Sequence, residues 1–283
     1  MKIPNWIILL ILFFVIFDIF IWWQIFFAGP NKNLELYFLD VGQGDSELAV
    51  LPGNVKVLID AGPDNKIIGN LSSIFSSTDR YIDLAIISHS QLDHFGGLID
   101  VMKRYQIGAF IFNGRRGETA AFGELEKTIK ENKIPVVVLG ESDKIKYQND
   151  ILDIISPPEN LLSNAELNDT TLVMRLLSQG VKVLFTGDID SKIEESLVRK
   201  YDLGVDVLKI SHHGSKFSSS EDFLKAVSPK ISIIEVGKNS YGHPTEQALN
   251  RLASVGSQIF RTDRNGTVKL TLENGKINIF KEK

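Results

Sequence analysis

The feature of this sequence that most limits how the chain can fold is a long apolar run near its N-terminus. Residues 6–28 read WIILLILFFVIFDIFIWWQIFFA and contain only two strongly polar side chains, Asp18 and Gln24. A helix needs about 20 apolar residues to cross a bilayer core, whereas the apolar part of a secretory signal spans about 7–15 residues. The run therefore predicts an uncleaved transmembrane anchor over residues 1–29, which contacts the membrane through residues 6–28. A cleaved signal peptide is the alternative interpretation.

Basic residues on the two sides of this run say little about its orientation. Lys2 precedes the run and Lys32 follows it, so the positive-inside bias is slight. We expect the arrangement that is common for such anchors, in which the N-terminus stays in the cytoplasm and the body of a single-pass membrane protein is extracytoplasmic. Residues 30–33 are then a short linker, and residues 34–283 form one globular domain.

Beyond the linker, segments typical of strands alternate with segments typical of helices. The strand candidates are Leu34–Leu39, Glu47–Leu51, Val55–Ile59, Leu84–Ile87, Ala109–Phe112, Val136–Leu139, Leu172–Leu177, Val181–Phe185, Val207–Ile210 and Ile231–Val236, and the helix candidates are Phe122–Asn132, Ser191–Tyr201 and Thr245–Val255. Residues 52–54 (PGN) indicate a hairpin turn, and Ser191 with Glu194 is typical of a helix capping box. Hairpins followed by alternating strands and helices predict an α/β sandwich of two sheets with helices outside.

All histidines of the chain fall in short motifs beside Gly, Asp or another His. There are five of them, and each group follows a predicted strand: His89, His94, His212, His213 and His243. Loops at the carboxyl ends of strands are where α/β folds collect functional side chains. The chain contains no cysteine, which excludes disulfides, thiolate metal sites and a cysteine nucleophile. Its formal net charge of −4 argues against a general nucleic-acid coat but does not exclude a local basic groove.

The first motif spans residues 88–97 and places His89, Asp93 and His94 in one tight loop. Imidazole and carboxylate together are a ligand set that suits a borderline divalent ion such as zinc. Gly96 and Gly97 allow the backbone to turn closely before the next helix. A capped helix start with incidental histidines is the alternative for this segment.

A second motif, residues 186–188 (TGD), ends an apolar strand. A carboxylate buried at a strand end is costly unless it is paired or bound to a metal, which makes Asp188 a candidate ligand. The motif is weak evidence by itself, because Asp188 or Asp190 could simply cap the following helix.

The last two motifs contain the remaining histidines. His212 and His213 are adjacent, and neighbours on an extended segment point in different directions. One of the two could therefore be a packed structural residue. Pro244 fits the first position of a helix, which would place His243 at a helix N-terminus.

In this order, these residues resemble the metallo-β-lactamase superfamily, whose usual first motif is His-x-His-x-Asp-His, followed by a later Gly-Asp and a final His. The closer resemblance is to the metallo-β-lactamase domain at the C-terminus of ComEC competence proteins. It covers the chain from about Leu34 to its end and rests on residues 38–46 (FLDVGQGDS), 89–97, 168–172, 186–188, 212–215 (HHGS) and 241–244 (YGHP). The resemblance implies an αββα sandwich with metal between the loop edges of the sheets, preceded here by one transmembrane helix.

The resemblance also implies a site for two divalent ions. The implied metal ligands are Asp93, His94, Asp188 and His243 for one ion, and His89, Asp188 and Gln91 for the other. Asp188 would bridge the ions, and Asp93 would also orient the nucleophilic water. His213 would donate a hydrogen bond or proton to the phosphoryl oxygen or the leaving group, with His212 as the alternative donor.

The chain departs from the family pattern at one half of this site. Gln91 stands where the superfamily usually has His and the ComEC-like branch often has Asp, and no His lies between His94 and His212. Asn168 or Asp169 could stand in as an oxygen ligand. We therefore expect one tight and one weaker metal site, and the oxygen-rich ligand set makes Mn²⁺ a rival to Zn²⁺.

The implied function is hydrolysis of a phosphodiester, with single-stranded or duplex DNA as the substrate. A divalent ion lowers the pKa of its bound water toward about 7, and a metal pair holds both the attacking and the leaving oxygen. Residues 191–283 carry fifteen Lys and Arg against eleven Asp and Glu, so positive charge accompanies the late motifs. No second apolar run of about 18 residues follows the first, so a transport channel would need a separate partner protein.

Two other functions fit the same residues. A pocket closed by residues 113–118 would favour a small phosphodiester or ester substrate, such as a phosphocholine or nucleotide compound. Gln91 and the missing histidine ligand would instead suit a catalytically weakened, membrane-tethered binding module. Measuring the metal bound to the protein would distinguish this module from both enzymes.

Overall fold

A computed structural model describes residues 4–27, 29, 31–163, 166–273 and 275–283 of the chain. The first helix, α1, covers Asn5–Phe27. Its stretch Asn5–Trp23 is long and apolar enough to cross a membrane, and none of that stretch is buried. By length and composition this agrees with the predicted apolar helix. Lys2, Ala28 and Pro30, which bear on the predicted orientation and on the ends of the anchor and linker, lie outside the described residues.

The strands of the described residues form two mixed sheets. The first has the order β15-β14-β1-β2-β3-β4-β5-β6 and contains β1 (Glu35–Phe38), β2 (Glu47–Leu51), β3 (Val55–Ile59), β4 (Tyr81–Ile86), β5 (Gln106–Phe112), β6 (Val136–Val138), β14 (Val268–Glu273) and β15 (Lys276–Lys281). The second has the order β13-β12-β11-β10-β9-β8-β7 and contains β7 (Lys144–Tyr147), β8 (Asp150–Ser156), β9 (Val173–Ser178), β10 (Val181–Phe185), β11 (Val207–Lys209), β12 (Ile231–Ile234) and β13 (Gln258–Arg261). The strands β3–β6 and β10–β13 are parallel, and the rest of each sheet is antiparallel.

Helices cover both outer faces of the paired sheets. They are α2 (Lys66–Ile74), α3 (Leu92–Phe95), α4 (Leu98–Arg104), α5 (Ala120–Glu131), α6 (Ser191–Lys200), α7 (Glu221–Val227), α8 (Glu246–Ser254) and α9 (Thr262–Asn265). The core between the sheets includes Phe38 and Phe185, whose ring centroids lie 6.4 Å apart. Apolar residues of α2, α4 and α5 pack on the first sheet, and those of α6, α7 and α8 pack on the second. The predicted αββα sandwich is confirmed.

Three strands are predicted with their observed bounds, whereas five are missed, among them the interior strands β8 and β14. The segments Glu47–Leu51, Val55–Ile59 and Val181–Phe185 have the predicted bounds, and residues 52–54 form the predicted hairpin turn between β2 and β3. The other predicted strands are present with shifted ends. The sequence analysis does not predict β7, β8, β13, β14 or β15. At an edge strand such as β7, alternate side chains face solvent, so lysines interrupt the apolar pattern.

The predicted capping box of α6 is wrong. The cap is Asp190, whose side chain accepts hydrogen bonds from the backbone N–H groups of Lys192 and Ile193 at 3.0 and 3.3 Å. Glu194 is fully buried and turns away from the helix start to accept from the backbone N–H of Ser220 at 2.8 Å and of its neighbour Ser219. Asp190 is the cap because it directly precedes the first turn and its carboxylate reaches the first free N–H groups, whereas Ser191 is already the first helical residue.

The predicted start of α8 is also wrong. Thr245 is the cap, and its hydroxyl accepts from the backbone N–H of Ala248 at 3.3 Å. Pro244 therefore precedes the cap instead of occupying the first helical position. His243 lies in the loop before the helix, two residues further from the first helical residue than expected.

The loops with the histidine motifs leave the carboxyl ends of parallel strands in both sheets. Asp60 follows β3, His89 follows β4, and the loops after β10, β11 and β12 carry Asp188, His213 and Glu235. Contacts between the first-sheet and second-sheet loops show that the two sets of strand ends meet at one edge of the sandwich. This is the edge where open α/β folds place their ligands.

Replacing Glu194 by alanine should lower the free energy of unfolding by about 2–3 kcal/mol, because two backbone N–H groups lose a charged, buried acceptor. Urea unfolding of the full chain in detergent, followed by circular dichroism, measures the change. Glu195→Ala is the matched control, since its exposed carboxylate pairs with Arg199 on the helix surface and should contribute less than about 1 kcal/mol. Equal losses in the two variants would contradict the structural role of Glu194.

Candidate metal centre

Asp60 and Ser88 hold the two histidines of the first motif in fixed orientations. The buried Asp60 carboxylate accepts the Ser88 backbone N–H at 2.7 Å and the Ser88 hydroxyl at 2.6 Å. His94 Nδ1 lies 2.8 Å from the same carboxylate, and His89 Nδ1 lies 3.0 Å from the Ser88 hydroxyl oxygen. Because these oxygens accept hydrogen bonds, Nδ1 carries the hydrogen in both rings and Nε2 is left to bind a cation.

His212 and His213 lie on a tight turn, which corrects the expectation of an extended segment. Both have left-handed backbone angles, with φ of 51° and 53°, a conformation that costs about 1–2 kcal/mol for a residue other than glycine. The turn buries His213, whose Nδ1 donates to the Glu235 backbone oxygen at 2.8 Å. The side chain of His212 stays 32% exposed. The rings do point in different directions, with 76° between their planes.

Side chains from three loops bring ligand atoms to one point. Asp93, His94, Asp188 and His213 each offer a nitrogen or oxygen within 4.8 Å of the others. Asp188 Oδ2 lies 3.4 Å from His94 Nε2 and 3.8 Å from His213 Nε2, and Asp93 Oδ2 lies 3.5 Å from His213 Nε2. The ring of His89 packs on that of His94 with centroids 4.1 Å apart.

Carboxylates dominate the electrostatics of this cluster. Burial alone would lower the pKa of both His94 and His213, but Asp188 and further carboxylates raise the pKa of His94 well above its usual value and that of His213 to about 10. Burial would raise the pKa of Asp188, yet the two imidazoles hold it well below its usual range. Surroundings that favour an imidazolium also favour a divalent ion, so protons and metal compete for this site.

Buried atoms without partners show where a cation fits. Nε2 of His89, His94 and His213 and Oδ1 of Asp188 are buried and have no hydrogen-bond partner within the part of the chain that the structure describes. Such atoms are rare in folded proteins. Burial, followed by the charge of His94, lowers the pKa of His89 to about 4, which keeps its ring neutral. Imidazole nitrogens and carboxylate oxygens suit Zn²⁺ and Mn²⁺, so the residues present fit a divalent ion.

Two predicted site histidines lie beside this group at the opening of the site. His212 Nε2 is 3.9 Å from Asp188 Oδ2. His243 has its ring 5.6 Å from that of His212, and its Nδ1 is buried without a partner among the described residues. Burial, followed by the charge of His212, lowers the pKa of His243. Both rings therefore face the cluster from its outer side.

The residues considered as substitutes for the missing histidine bind other partners. Gln91 Nε2 donates to the Asn168 side-chain oxygen at 2.7 Å, so the two neutral amides satisfy each other. Asp169 lies 3.9 Å from the Lys192 ammonium, and burial raises the pKa of its carboxyl group. This side of the site therefore offers fewer charged metal ligands than the side formed by Asp93 and Asp188.

Beneath the centre lies a buried lysine that the sequence analysis does not identify. Lys209 ends β11, and its ammonium binds the Asp45 carboxylate and donates to the Gly187 backbone oxygen at 3.1 Å. It also lies 4.0 Å from Asp188 Oδ1. Asp45 in turn lies 3.2 Å from His213 Nδ1. Lys209 and Asp45 thus support two members of the cluster from inside the protein.

Glu47 and Glu235 add two buried carboxyl groups next to this ion pair. Burial, and then the neighbouring Asp45 carboxylate, raises the pKa of Glu235 to about 8. Burial and the charge of Glu235 raise the pKa of Glu47 well above its usual value. The two groups therefore do not both ionise at neutral pH. The positive charge of Lys209 is balanced by the carboxylates of Asp45 and Asp188.

Sequence reasoning misses Asp60, Asp45, Lys209, Glu47 and Glu235. A signal exists for all of them except Asp45, because the other four lie within or directly after an apolar strand, where a charged side chain must be paired. Lys209 in the segment Val207–Ile210 is the clearest example. Which charge pairs with which depends on contacts between strands that are distant in the chain.

Comparison with known proteins places these residues in a family context. Residues 39–237 match the family described as the metallo-beta-lactamase superfamily. The chain is 33% identical to competence protein ComA of Neisseria gonorrhoeae over 254 aligned residues. The alignment covers 88% of this chain and 34% of ComA. The chain is also 25% identical over 261 residues to ComE operon protein 3 of Bacillus subtilis, covering 85% of this chain and 33% of that protein. The chain thus spans about a third of the length of these curated relatives.

A solved structure shares the architecture. The metallo-beta-lactamase fold protein YhfI from Bacillus subtilis superposes with a TM-score of 0.59 at 11% sequence identity, covering 85% of this chain and 100% of YhfI. At that identity the likeness concerns the fold alone. It agrees with the two-sheet sandwich described above.

Lys209→Met removes the buried ammonium while keeping most of the side-chain volume. Because Asp45 would lose its cation, we expect the free energy of unfolding to fall by about 3–5 kcal/mol. Combining Lys209→Met with Asp45→Asn should cost clearly less than the two single changes together, since the double variant leaves neither charge unpaired. Urea unfolding of the four proteins measures this coupling.

The control for this cycle is Lys269→Met. Lys269 is only partly buried and pairs with Glu35 at 3.0 Å on the outside of the sheet, so its loss should cost less than about 1 kcal/mol. Strictly additive effects of the Lys209 and Asp45 changes would contradict the proposed pairing.

Proposed function

Since the chain belongs to the metallo-beta-lactamase superfamily, we propose that it is a membrane-anchored, metal-dependent phosphodiesterase that acts on DNA. The observation that carries this proposal is the convergence of buried, unpartnered imidazole nitrogens on the Asp188 carboxylate. Groups arranged in this way fit a divalent ion, and metal-dependent hydrolysis is the usual chemistry of the superfamily.

The ligands fall into two unequal groups. The tighter ion would be held by the cluster of carboxylates and imidazoles consisting of Asp93, His94, Asp188 and His213, with His243 beside it. The weaker ion would use His89 and the shared Asp188. Its remaining neighbours, Gln91 and Asn168, are neutral amides that already bind each other, which supports the expected difference in affinity.

The chemistry divides among the residues according to their exposure. A bound divalent ion would supply electrostatic activation of water and neutralisation of phosphoryl charge. Burial would raise the pKa of Asp93, but His94 and His213 lower it far enough to keep the carboxylate ionised at neutral pH. Asp93 can therefore accept a hydrogen bond from the attacking water and orient it. His212 reaches the same region from the solvent side and can donate a hydrogen bond or proton to the leaving oxygen.

The position of His213 favours a role as metal ligand over the donor role that the resemblance implies. Its Nδ1 is engaged by the Glu235 backbone oxygen, and its Nε2 faces Asp93 and Asp188. A buried ring held in this way is well placed to bind a cation and poorly placed to follow a departing group. His212 is therefore the proposed proton donor.

DNA is the proposed substrate because of the resemblance to ComEC-like domains, which implies a nuclease beside a DNA channel. Relatives named as competence proteins support this choice. Exposed Lys216 closely follows the adjacent histidines and exposed Lys238 lies shortly before His243, and both can contact phosphates. The apolar helix α1 would anchor the chain with its body on the extracytoplasmic side, and a separate partner protein would form any channel.

Metal-free protein titrated with Mn²⁺ or Zn²⁺, with bound metal measured by elemental analysis, should show one tight and one weaker site. Asp188→Asn should lower the affinity of both sites by more than about tenfold, because both ions share this carboxylate. His89→Ala should weaken mainly the second site. Two equally tight sites would contradict the proposed asymmetry, and absence of bound metal would favour the binding module.

In the presence of Mn²⁺, the full chain should hydrolyse DNA, and Asp93→Asn should lower kcat by about 10²–10⁴-fold with a smaller effect on KM. A gel-based cleavage assay with DNA in excess over the protein, at several DNA concentrations, measures both constants. Asp100→Asn is the matched control, because Asp100 lies nearby on the exposed side of α4 and pairs with Lys103 at 3.5 Å. Its rate should equal that of the unmodified protein.

The same assay distinguishes the alternatives. Turnover of bis(p-nitrophenyl) phosphate with intact DNA would favour a hydrolase of small phosphodiesters. Bound metal without turnover of either substrate would leave a metal-binding module that has lost its catalytic function.

A further inference from the structure

Two of the most exposed aromatic side chains of the globular body lie in loops that carry the histidine motifs. Tyr241 is 74% exposed and Phe217 is 66% exposed, compared with 54% for Phe280 and 44% for Tyr81 elsewhere on the described surface. Phe217 lies in the loop that begins with the adjacent histidines, and Tyr241 lies two residues before His243. Large apolar surfaces left in water next to a functional site indicate contact with a ligand.

Hydrogen bonds hold the backbone beneath both aromatic residues. The side-chain oxygen of Asn239 accepts from the backbone N–H groups of Tyr241 and His243 at 3.1 and 3.0 Å. The Phe217 backbone oxygen accepts from Ser191 at 3.0 Å. Arg251 donates to backbone oxygens on both sides of Phe217, at 3.1 and 2.7 Å. Both exposed rings are therefore carried by loops whose backbone is held by hydrogen bonds. Such loops can present a preformed binding surface.

A series of rings connects Tyr241 to the centre. Its ring lies 5.8 Å from that of His243 with 32° between the planes, and the ring of His243 lies 5.6 Å from that of His212. His212 Nε2 is 3.9 Å from Asp188. Exposure falls along this series from the open face of Tyr241 to the buried cluster, so the rings lead from the surface to the centre.

The two loops are also joined to each other. The backbone N–H and the hydroxyl of Thr245 both donate to the Gly214 backbone oxygen, at 2.9 and 3.1 Å. Gly214 is three residues before Phe217, and Thr245 is four residues after Tyr241. The two bonded loops thus form a rim on the second-sheet side of the site, and this rim carries both aromatic residues.

We propose that Tyr241 and Phe217 stack unpaired bases of a single-stranded nucleic acid whose phosphodiester lies at the metal centre; this inference rests on the proposed phosphodiesterase function. Aromatic rings stack on any base that is free of its partner, whereas the faces of bases in a duplex are already covered by their neighbours. The proposal therefore names the unpaired strand as the substrate, in preference to duplex DNA.

The charges of the rim favour a polyanion over a cationic ligand. The Lys216 ammonium lies 5.0 Å from the centre of the Phe217 ring, where it would repel a quaternary ammonium headgroup and attract a phosphate next to a stacked base. Lys238 is exposed in the loop that leads to Tyr241. Aromatic faces interleaved with cations are the usual surface for single-stranded nucleic acids.

The test measures binding of a short fluorescein-labelled oligothymidylate to the full chain in detergent, by anisotropy, with EDTA present to prevent turnover. Tyr241→Ala and Phe217→Ala should each raise the Kd about tenfold, which corresponds to ~1.4 kcal/mol. Tyr241→Phe should bind like the unmodified protein because it keeps the ring. Neither alanine change should affect binding of an abasic strand of equal length, which has the same phosphates without bases.

Phe280→Ala is the matched control, an exposed aromatic residue on β15, and it should leave the Kd unchanged. With Mn²⁺, Tyr241→Ala should raise KM for the oligothymidylate with little change in kcat, and should not alter turnover of bis(p-nitrophenyl) phosphate. Equal losses on the abasic strand, no loss relative to Phe280→Ala, or Tyr241-dependent binding to phospholipid vesicles alone would overturn the proposal.

Failure of the proposed function gives a different result. If the metal-loaded protein hydrolyses no phosphodiester, the enzymatic assignment is wrong, while the anisotropy measurement still tests base stacking. If the protein hydrolyses oligothymidylate with equal KM before and after the Tyr241 change, the phosphodiesterase stands and base stacking is wrong.

Discussion

Carboxylates buried away from water are stable only when cations or hydrogen-bond donors lie against them. In this protein Asp45, Asp60 and Asp188 lie where the two sheets meet, and all three are buried. Lys209 supplies one permanent cation to this region, and the imidazoles of His94 and His213 supply donors. Among the atoms left without partners in the described residues are Nε2 of His89, His94 and His213 and Oδ1 of Asp188, where a divalent ion would supply the missing positive charge.

The protein orients this set through neighbouring groups. Asp60, Ser88 and the Glu235 backbone oxygen engage the Nδ1 atoms of three histidines, so the three Nε2 atoms face the cluster. The left-handed turn at His212 and His213 separates one buried ring from one that reaches solvent. Adjacent residues are thereby placed in two different environments, and the left-handed turn that separates them is locally strained.

Predictions from the sequence are most reliable where the residues that form an element or a site are close together in the chain. The apolar run, the buried strands and the motif of His89, Asp93 and His94 can be read from local patterns, and the family resemblance adds the order of the later motifs. Sequence reasoning is less reliable at helix ends, where Asp190, considered only as an alternative, caps α6 instead of Ser191, and Thr245 caps α8 instead of His243. It fails for β14, although the alternation of apolar and polar residues in Val268–Glu273 is visible in the sequence. It also assigns no role to Lys209 and Asp45, which are 164 positions apart.

The sequence by itself determines the apolar helix, the two-sheet class of fold and the residue types available for metal chemistry, because hydrophobic period and side-chain chemistry are properties of short segments. Only the tertiary structure decides which charges meet and which histidine nitrogen is left free. It also decides which of two adjacent histidines is buried. These outcomes depend on strand ends from different sheets arriving at one edge, and no local pattern in the chain specifies the distances between them.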